Sequence, residues 1–214
     1  SSRELLPGLQ VMEFTPATSG EPLAVSLARL RADPDVQYAE VDARRHAHAQ
    51  PADPLFAGQW YLQAAANAPS AVNAQAAWDL ANGGNGIVIA DLDTGIRYDH
   101  PDLQRALVGG RLLPGYDFVS VAAVANDGDG RDDDPSDPGD WVTSADLATP
   151  TFKDCTAENS SWHGTRTAGI IAARANNNAG IAGTTWRGFI LPVRVLGKCG
   201  GFDSDIIAAM LWSA

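Results

Sequence analysis

Apolar and polar positions along the chain fall into two regimes. Over the first 45 or so residues the pattern predicts a small α+β unit. "LQVMEF" reads as a strand, "PLAVSLARLRAD" places Leu23, Leu27 and Leu30 at helical spacing, and "DVQYAEV" reads as a second strand after an Asp-Pro-Asp turn. The polar, proline-punctuated stretch "DARRHAHAQPADP" suits a linker or processing site. From Ala71 onward the pattern changes. "NAQAAWDLAN" predicts a helix with Asn73 as N-cap, closed by "GGNG" before a strand from Ile87 to Leu92. Further along come a helix from about His163 to Ala175, a strand "FILPVRVL", and a last helix entered through Asp203 and Ser204. Strands alternating with helices predict an α/β fold with a parallel sheet, whose ligand sites lie at the carboxyl ends of the strands. "DSDIIAAMLWSA" carries no cap or breaker after its apolar run, so truncation within a larger domain is the expectation.

Composition narrows the function classes. The 214 residues suffice for one domain, or one with a small partner, and the formal net charge of −11 offers no basic face for nucleic acid. That acidity is local, because seven aspartates fall between Asp127 and Asp140. No apolar run approaches the roughly 20 residues of a membrane span, and "SSRELLPGLQ" is not a secretory signal. The two cysteines, Cys155 and Cys199, are either bridged or buried as free thiols.

Candidate chemistry concentrates in "IVIADLDTGI", residues 87–96, a strand that delivers a carboxylate to a turn. By itself Asp93 could serve an aspartic peptidase, a phosphatase or a subtilisin-like peptidase, or merely end the strand. The discriminating stretch is "SSWHGTRTAGIIAA", in which His163 opens a helix. A helix N-terminus disfavours imidazolium, so the ring is kept neutral for accepting a proton. Once charged it needs an anion at Nδ1, and Asp93 is the candidate.

"DLDTGIRYDHPDL" and "HGTRTAGIIAA" together resemble the aspartate and histidine motifs of the subtilases, the subtilisin-like serine peptidases. The resemblance implies Asp93 and His163 as two catalytic groups of an Asp-His-Ser triad. The family's Gly-Thr-Ser-Met-Ala segment, which bears the nucleophile, does not occur in this chain, so the chain alone is expected to be inactive. "LARLRADPDVQYAEVD" resembles the end of an inhibitory propeptide. The implied organisation is the C-terminal part of a propeptide over residues 1–48 and the N-terminal half of a peptidase domain over 49–214. The implied partners are a peptide or protein substrate and the chain's own propeptide as intramolecular inhibitor. The segments around "DCTAENSSWHGT" and "PVRVLGKCGGFDSDI" resemble a secreted bacterial branch in which Cys155 and Cys199 form a disulfide. Gly200, Gly201 and Phe202 fall where the family keeps an edge strand that pairs with substrate.

Three positions depart from the family pattern: Arg166 stands for a second histidine, Thr167 for valine, and Asp91 for an apolar residue. Asp91 lies on the same strand face as Asp93 and would raise its pKa unless a cation or donor satisfies it. The acidic loop suggests calcium, with Asp127, Asp129, Asp132, Asp134 and Asp137 as the carboxylate ligands beside backbone carbonyls. Asp102 with Asn176, Asn177 and Asn178 forms a second candidate. His46 and His48 read as solvated linker residues and His100 as structural. The rival readings are a calcium-dependent binding module that kept the scaffold without the serine, and a phosphatase built on "DLDTG", which leaves the histidine motif unexplained. "GGNG" is not a nucleotide loop, since its glycines precede the strand. An aspartic peptidase would need a mainly β chain and a second aspartate motif.

Overall fold

The computed structural model describes residues 2–13, 21–42, 50–81 and 83–214. His46, His48 and the linker around them lie outside those residues. The chain divides into two units, Ser1–Ala47 and His48–Ala214.

In the first unit β1 (Ser2–Leu6) and β2 (Leu9–Met12) form an antiparallel hairpin in which Ser2 faces Met12 and Leu6 faces Leu9. Gly8, at φ 82°, takes the left-handed position of the turn. Helix α1 (Leu23–Ala32) follows. Its buried position is Ser26, which donates to Glu21 at 2.6 Å, and Arg29 and Arg31 sit in its last turn, where the dipole favours cations. The strand expected at "DVQYAEV" does not form: residues 35–41 pair with no strand among the described residues. Alternation is too weak a signal when no sheet edge accepts the segment, and Tyr38 and Val41 remain exposed.

The second unit is built on a parallel three-stranded sheet flanked by helices, which is the α/β architecture expected from the alternation of elements. Its strands are β3 (Val88–Asp93), β4 (Tyr116–Asp117) and β5 (Phe189–Arg194), in the order β3-β5-β4. Val88 pairs with Phe189 at one end and Asp93 with Arg194 at the other. Pro192 sits within the central strand, where proline is normally excluded. Ile190 donates its amide to Arg111, and Phe118 donates to the Arg194 carbonyl, so even-numbered residues of β5 turn towards β4. The amide that Pro192 lacks therefore falls beside Gly115, before β4 begins.

Helix α2 (Ala74–Trp78) is short, and Asn73 enters it in the left-handed conformation without capping it through its side chain. Helices α3 (Ala122–Ala125), α4 (His163–Ala172) and α5 (Asp203–Ser213) complete the unit. Around the sheet, Ile96, Leu103, Leu112 and Ile190 pack with Ala168 and Ala172 of α4, and Phe118, Val193 and Val195 pack with Ala209 of α5. A separate cluster joins Phe56, Leu62 and Trp78 beneath the segment that follows the linker. Cys155 and Cys199 are joined in a disulfide that closes a separation of 44 residues, with Cα atoms 5.9 Å apart. Among the described residues no helix is long and apolar enough to cross a membrane.

Candidate active site

The site forms where the carboxyl end of β3 meets the amino end of α4. Parallel pairing carries Asp93 to the top of the sheet, and its burial is nearly complete at 7% exposure. The Thr94 amide donates to Asp93 Oδ1 at 2.7 Å, which leaves Oδ2 for His163 Nδ1, also at 2.7 Å. The imidazole is otherwise exposed, and its Nε2 has no hydrogen-bond partner among the described residues. This is the arrangement of a base whose inner nitrogen is fixed by a carboxylate and whose outer nitrogen faces a reactant.

Small residues and a polar relay set that geometry. A Cβ on Gly164 would lie 2.3 Å from the Gly95 carbonyl oxygen, so glycine alone lets α4 approach the turn after β3 this closely. Thr94 Oγ1 accepts from the Gly164 amide at 3.0 Å and donates to Asp137 at 2.8 Å. The Gly139 amide donates to the other Asp137 oxygen at 2.8 Å. Burial pushes the Asp137 carboxyl above the usual carboxylate range, against the pull of Thr94 and Gly139. On the opposite side of the helix start, Ser161 donates through its amide (2.6 Å) and hydroxyl (2.7 Å) to Asp140, and Ser161 Oγ accepts from the His163 amide at 3.2 Å. Trp162, at φ 52°, makes the entry turn.

Beneath the pair lies Arg194, almost fully buried at 1% exposure. Its Nε donates to the Thr94 carbonyl at 3.2 Å, and its guanidinium reaches Asp117 and Asp127, each at 2.5 Å, and the Ala125 carbonyl. The last residue of β5 thus ties the strand end bearing Asp93 to the acidic loop. Nothing in the apolar run "FILPVRVL" marks this arginine as buried. Its signal is only that it shares the strand with five apolar neighbours.

Asp91 is satisfied locally. Thr167 Oγ1, one turn into α4, donates to its Oδ2 at 3.1 Å. Burial and the neighbouring Asp93 push the Asp91 carboxyl up to about 6, while Thr167 and His163 draw it down. The two family departures at 91 and 167 are therefore one contact.

Of the five aspartates expected to bind calcium, four have partners within the protein. Asp127 is paired with Arg194, Asp137 with Thr94 and Gly139, Asp132 accepts the Asp134 amide at 2.9 Å, and Asp134 accepts the Ser136 hydroxyl at 2.5 Å. Among the described residues, no group of three or more His, Cys, Asp or Glu side chains is placed to hold a metal. A second set of buried oxygens lies around Asp102. Asp102 and Asp53, each 4% exposed, converge on Asn177: its side-chain amide donates to Asp102 at 2.7 Å and its backbone amide to Asp53 at 3.1 Å. Two buried carboxylates beside an asparagine carbonyl and a tightly wound loop are hard oxygen ligands. The sequence reading missed Asp53, which is 124 residues from Asn177 and carries no motif around it.

Gly200, Gly201 and Phe202 form no strand. Gly197 and Gly200 exchange backbone hydrogen bonds at 2.9 and 3.1 Å in a tight turn, Cys199 and Gly200 take positive φ, and Phe202 is exposed just before α5. The disulfide at Cys199 anchors this turn. His100 accepts the Asp102 amide through Nδ1 at 3.2 Å, in keeping with a structural role.

Known proteins share this scaffold. Residues 84–214 match the model of the subtilase family. The chain is 44% identical over 187 residues to the extracellular basic protease of Dichelobacter nodosus, covering 86% of this chain and 29% of that protein. It is 40% identical over 214 residues to the extracellular protease of Xanthomonas campestris pv. campestris, covering 100% of this chain and 34% of that protein. The solved structure of a protease from Pseudoalteromonas arctica superposes with a TM-score of 0.66 at 46% identity, over 77% of this chain and 44% of that one. This chain thus spans about a third of the length of the curated relatives it matches. With an aspartate and a histidine joined across two motifs in the family's order, and relatives of this identity along most of its length, the chain belongs to the subtilase family of serine peptidases.

Proposed function

We propose that this chain supplies the aspartate and histidine of an Asp-His-Ser triad in a secreted serine endopeptidase. The observation that carries the reading is the 2.7 Å contact between Asp93 Oδ2 and His163 Nδ1, with the outer face of the ring exposed. The nucleophilic serine is assigned to the part of the parent protein that this chain does not span. His163 Nε2 accepts the serine proton as Oγ attacks a peptide carbonyl, and then donates it to the leaving amine. Asp93 holds the Nδ1–H tautomer and stabilises the imidazolium. Thr94, Asp137 and Gly164 keep the two side chains in register.

Residues 1–48 are assigned to an inhibitory propeptide, on the resemblance of "LARLRADPDVQYAEVD". Gly200, Gly201 and Phe202 are assigned to the substrate backbone; what supports this is their exposure beside the disulfide-anchored turn. Secretion is supported by the extracellular naming of the two bacterial relatives. Calcium is assigned to Asp53, Asp102 and Asn177, where it would brace the loop behind α4 and take no part in proton transfer.

A fluorophosphonate probe on the mature parent protein tests the triad. A single adduct that depends on His163 is expected, absent in His163→Ala. In Asp93→Asn, kcat should fall on the order of 10⁴-fold while KM changes little, because the tautomer is lost and not the binding surface. A folded parent protein that forms no adduct would overturn the peptidase reading and leave a binding module on the same scaffold.

A further inference from the structure

At the end of the sheet opposite Asp93 lies a cavity of about 360 Å³ that no part of the proposed peptidase chemistry uses. Its walls come from four places: Asn85 ahead of β3, Gly110 and Arg111 ahead of β4, Arg174 just after α4, and Trp186 and Arg187 ahead of β5. Three arginines thus meet in one concavity of a chain whose formal net charge is −11. None of the three forms an ion pair with a carboxylate among the described residues.

Two of these side chains also hold unused donors. Arg111 Nε and Trp186 Nε1 are buried and have no hydrogen-bond partner among the described residues, although nearly all buried polar atoms in folded proteins have one. Arg111 makes a single side-chain hydrogen bond, from Nη1 to the Gly188 carbonyl at 3.3 Å. Burial first, and then the charge of Arg174, hold the Arg111 guanidinium below its ordinary pKa. Unpartnered N–H groups, all donors, together with uncompensated positive charge, call for an acceptor-only ligand that carries more than one negative charge.

We propose that this cavity binds a tetrahedral oxyanion, sulfate or phosphate, through Arg111, Arg174, Arg187 and Trp186 Nε1. Guanidinium forks match the paired oxygens of such an ion, and four oxygens can accept from all the donors at once. The site is separate from Asp93 and His163: Val88 and Phe189 begin their strands beside it, whereas Asp93 and Arg194 end theirs at the triad. It therefore stands or falls independently of the peptidase reading.

Isothermal titration of the full-length protein with sodium sulfate or sodium phosphate, at constant ionic strength in chloride, tests it. Saturable binding is expected, weakened at least about tenfold in Arg174→Gln and in Arg187→Gln. Both of these arginines are exposed, so neither change removes a side chain from the core. Lys153→Gln removes the same charge from an exposed site elsewhere and should leave binding unchanged. Absence of saturable binding for both ions would overturn the proposal. So would equal affinity in wild type and both arginine variants, since a general salt effect does not depend on particular side chains.

Discussion

A second carboxylate beside the Asp93–His163 pair sets a local electrostatic cost. Asp91 is half-buried two residues from Asp93, and its pKa is pushed up to about 6 by burial first and by the Asp93 charge second. An acid whose folded pKa lies above its ordinary 3.8 binds more protons folded than unfolded. Its ionisation therefore costs stability that is intact below about pH 4, is lost as pH rises towards 6, and stays lost above it. Asp91→Asn should raise stability at pH 7 by up to about 3 kcal/mol, at roughly 1.4 kcal/mol per pH unit, and change little at pH 4. Denaturant unfolding at the two pH values checks this, and an equal gain at both would show packing rather than charge to be the cause. Thr167→Val restores the apolar residue of the family but strips Asp91 of its donor. It should destabilise the wild type and be nearly neutral in the Asp91→Asn background, a coupling that a double-mutant cycle measures. The identities of Asp93 and His163 were legible from their motifs. The satisfaction of Asp91 by Thr167 was not, because 76 residues separate them and only the docking of α4 on β3 brings them together.

Helix α4 docks on β3 through glycine and alanine, so its position relative to the strand is decided by backbone contact. A Cβ at Gly164 would meet the Gly95 oxygen at 2.3 Å and Asp93 Oδ1 at 3.2 Å. Gly164→Ala should push the first turn outward, cost about 2 kcal/mol or more, and lengthen the Asp93–His163 contact. Under the proposed peptidase function it should lower kcat of the parent protein more than a Gly→Ala change on an exposed helix face. The long, periodic helices at 163 and 203 and the strands at 87 and 189 were readable because each pattern is sustained. Ile170 is an exception among its apolar residues: it is 45% exposed, while its neighbour Ile171 packs against the cluster. Neighbouring positions on a helix differ by about 100°, so both cannot face the sheet. The turn at Gly197–Gly200 is held from outside by the Cys155–Cys199 bond. Removing it as Cys155→Ser with Cys199→Ser should cost about 4 kcal/mol in the chain-entropy account for a 44-residue separation, seen as a lower denaturation midpoint.

Across the whole molecule the charge is unevenly spent. Within the acidic loop Arg194 pairs with Asp127 and Thr94 donates to Asp137. If calcium binds at Asp53, Asp102 and Asn177 as proposed, chelation should lower the thermal midpoint, and Asp53→Asn should abolish that calcium dependence. A midpoint unmoved by chelator would remove calcium from the account. Sequence alone determined the family, the two motifs that carry Asp93 and His163, and the alternation of strand and helix, because these are written in contiguous stretches where local spacing carries the information. Tertiary structure alone decided which carboxylates face cations, which face hydroxyls, and which are free to meet a ligand. Those partnerships join residues far apart in the chain, 43 positions for Thr94 with Asp137 and 124 for Asp53 with Asn177, and no local pattern encodes a contact that only the closing of the fold creates.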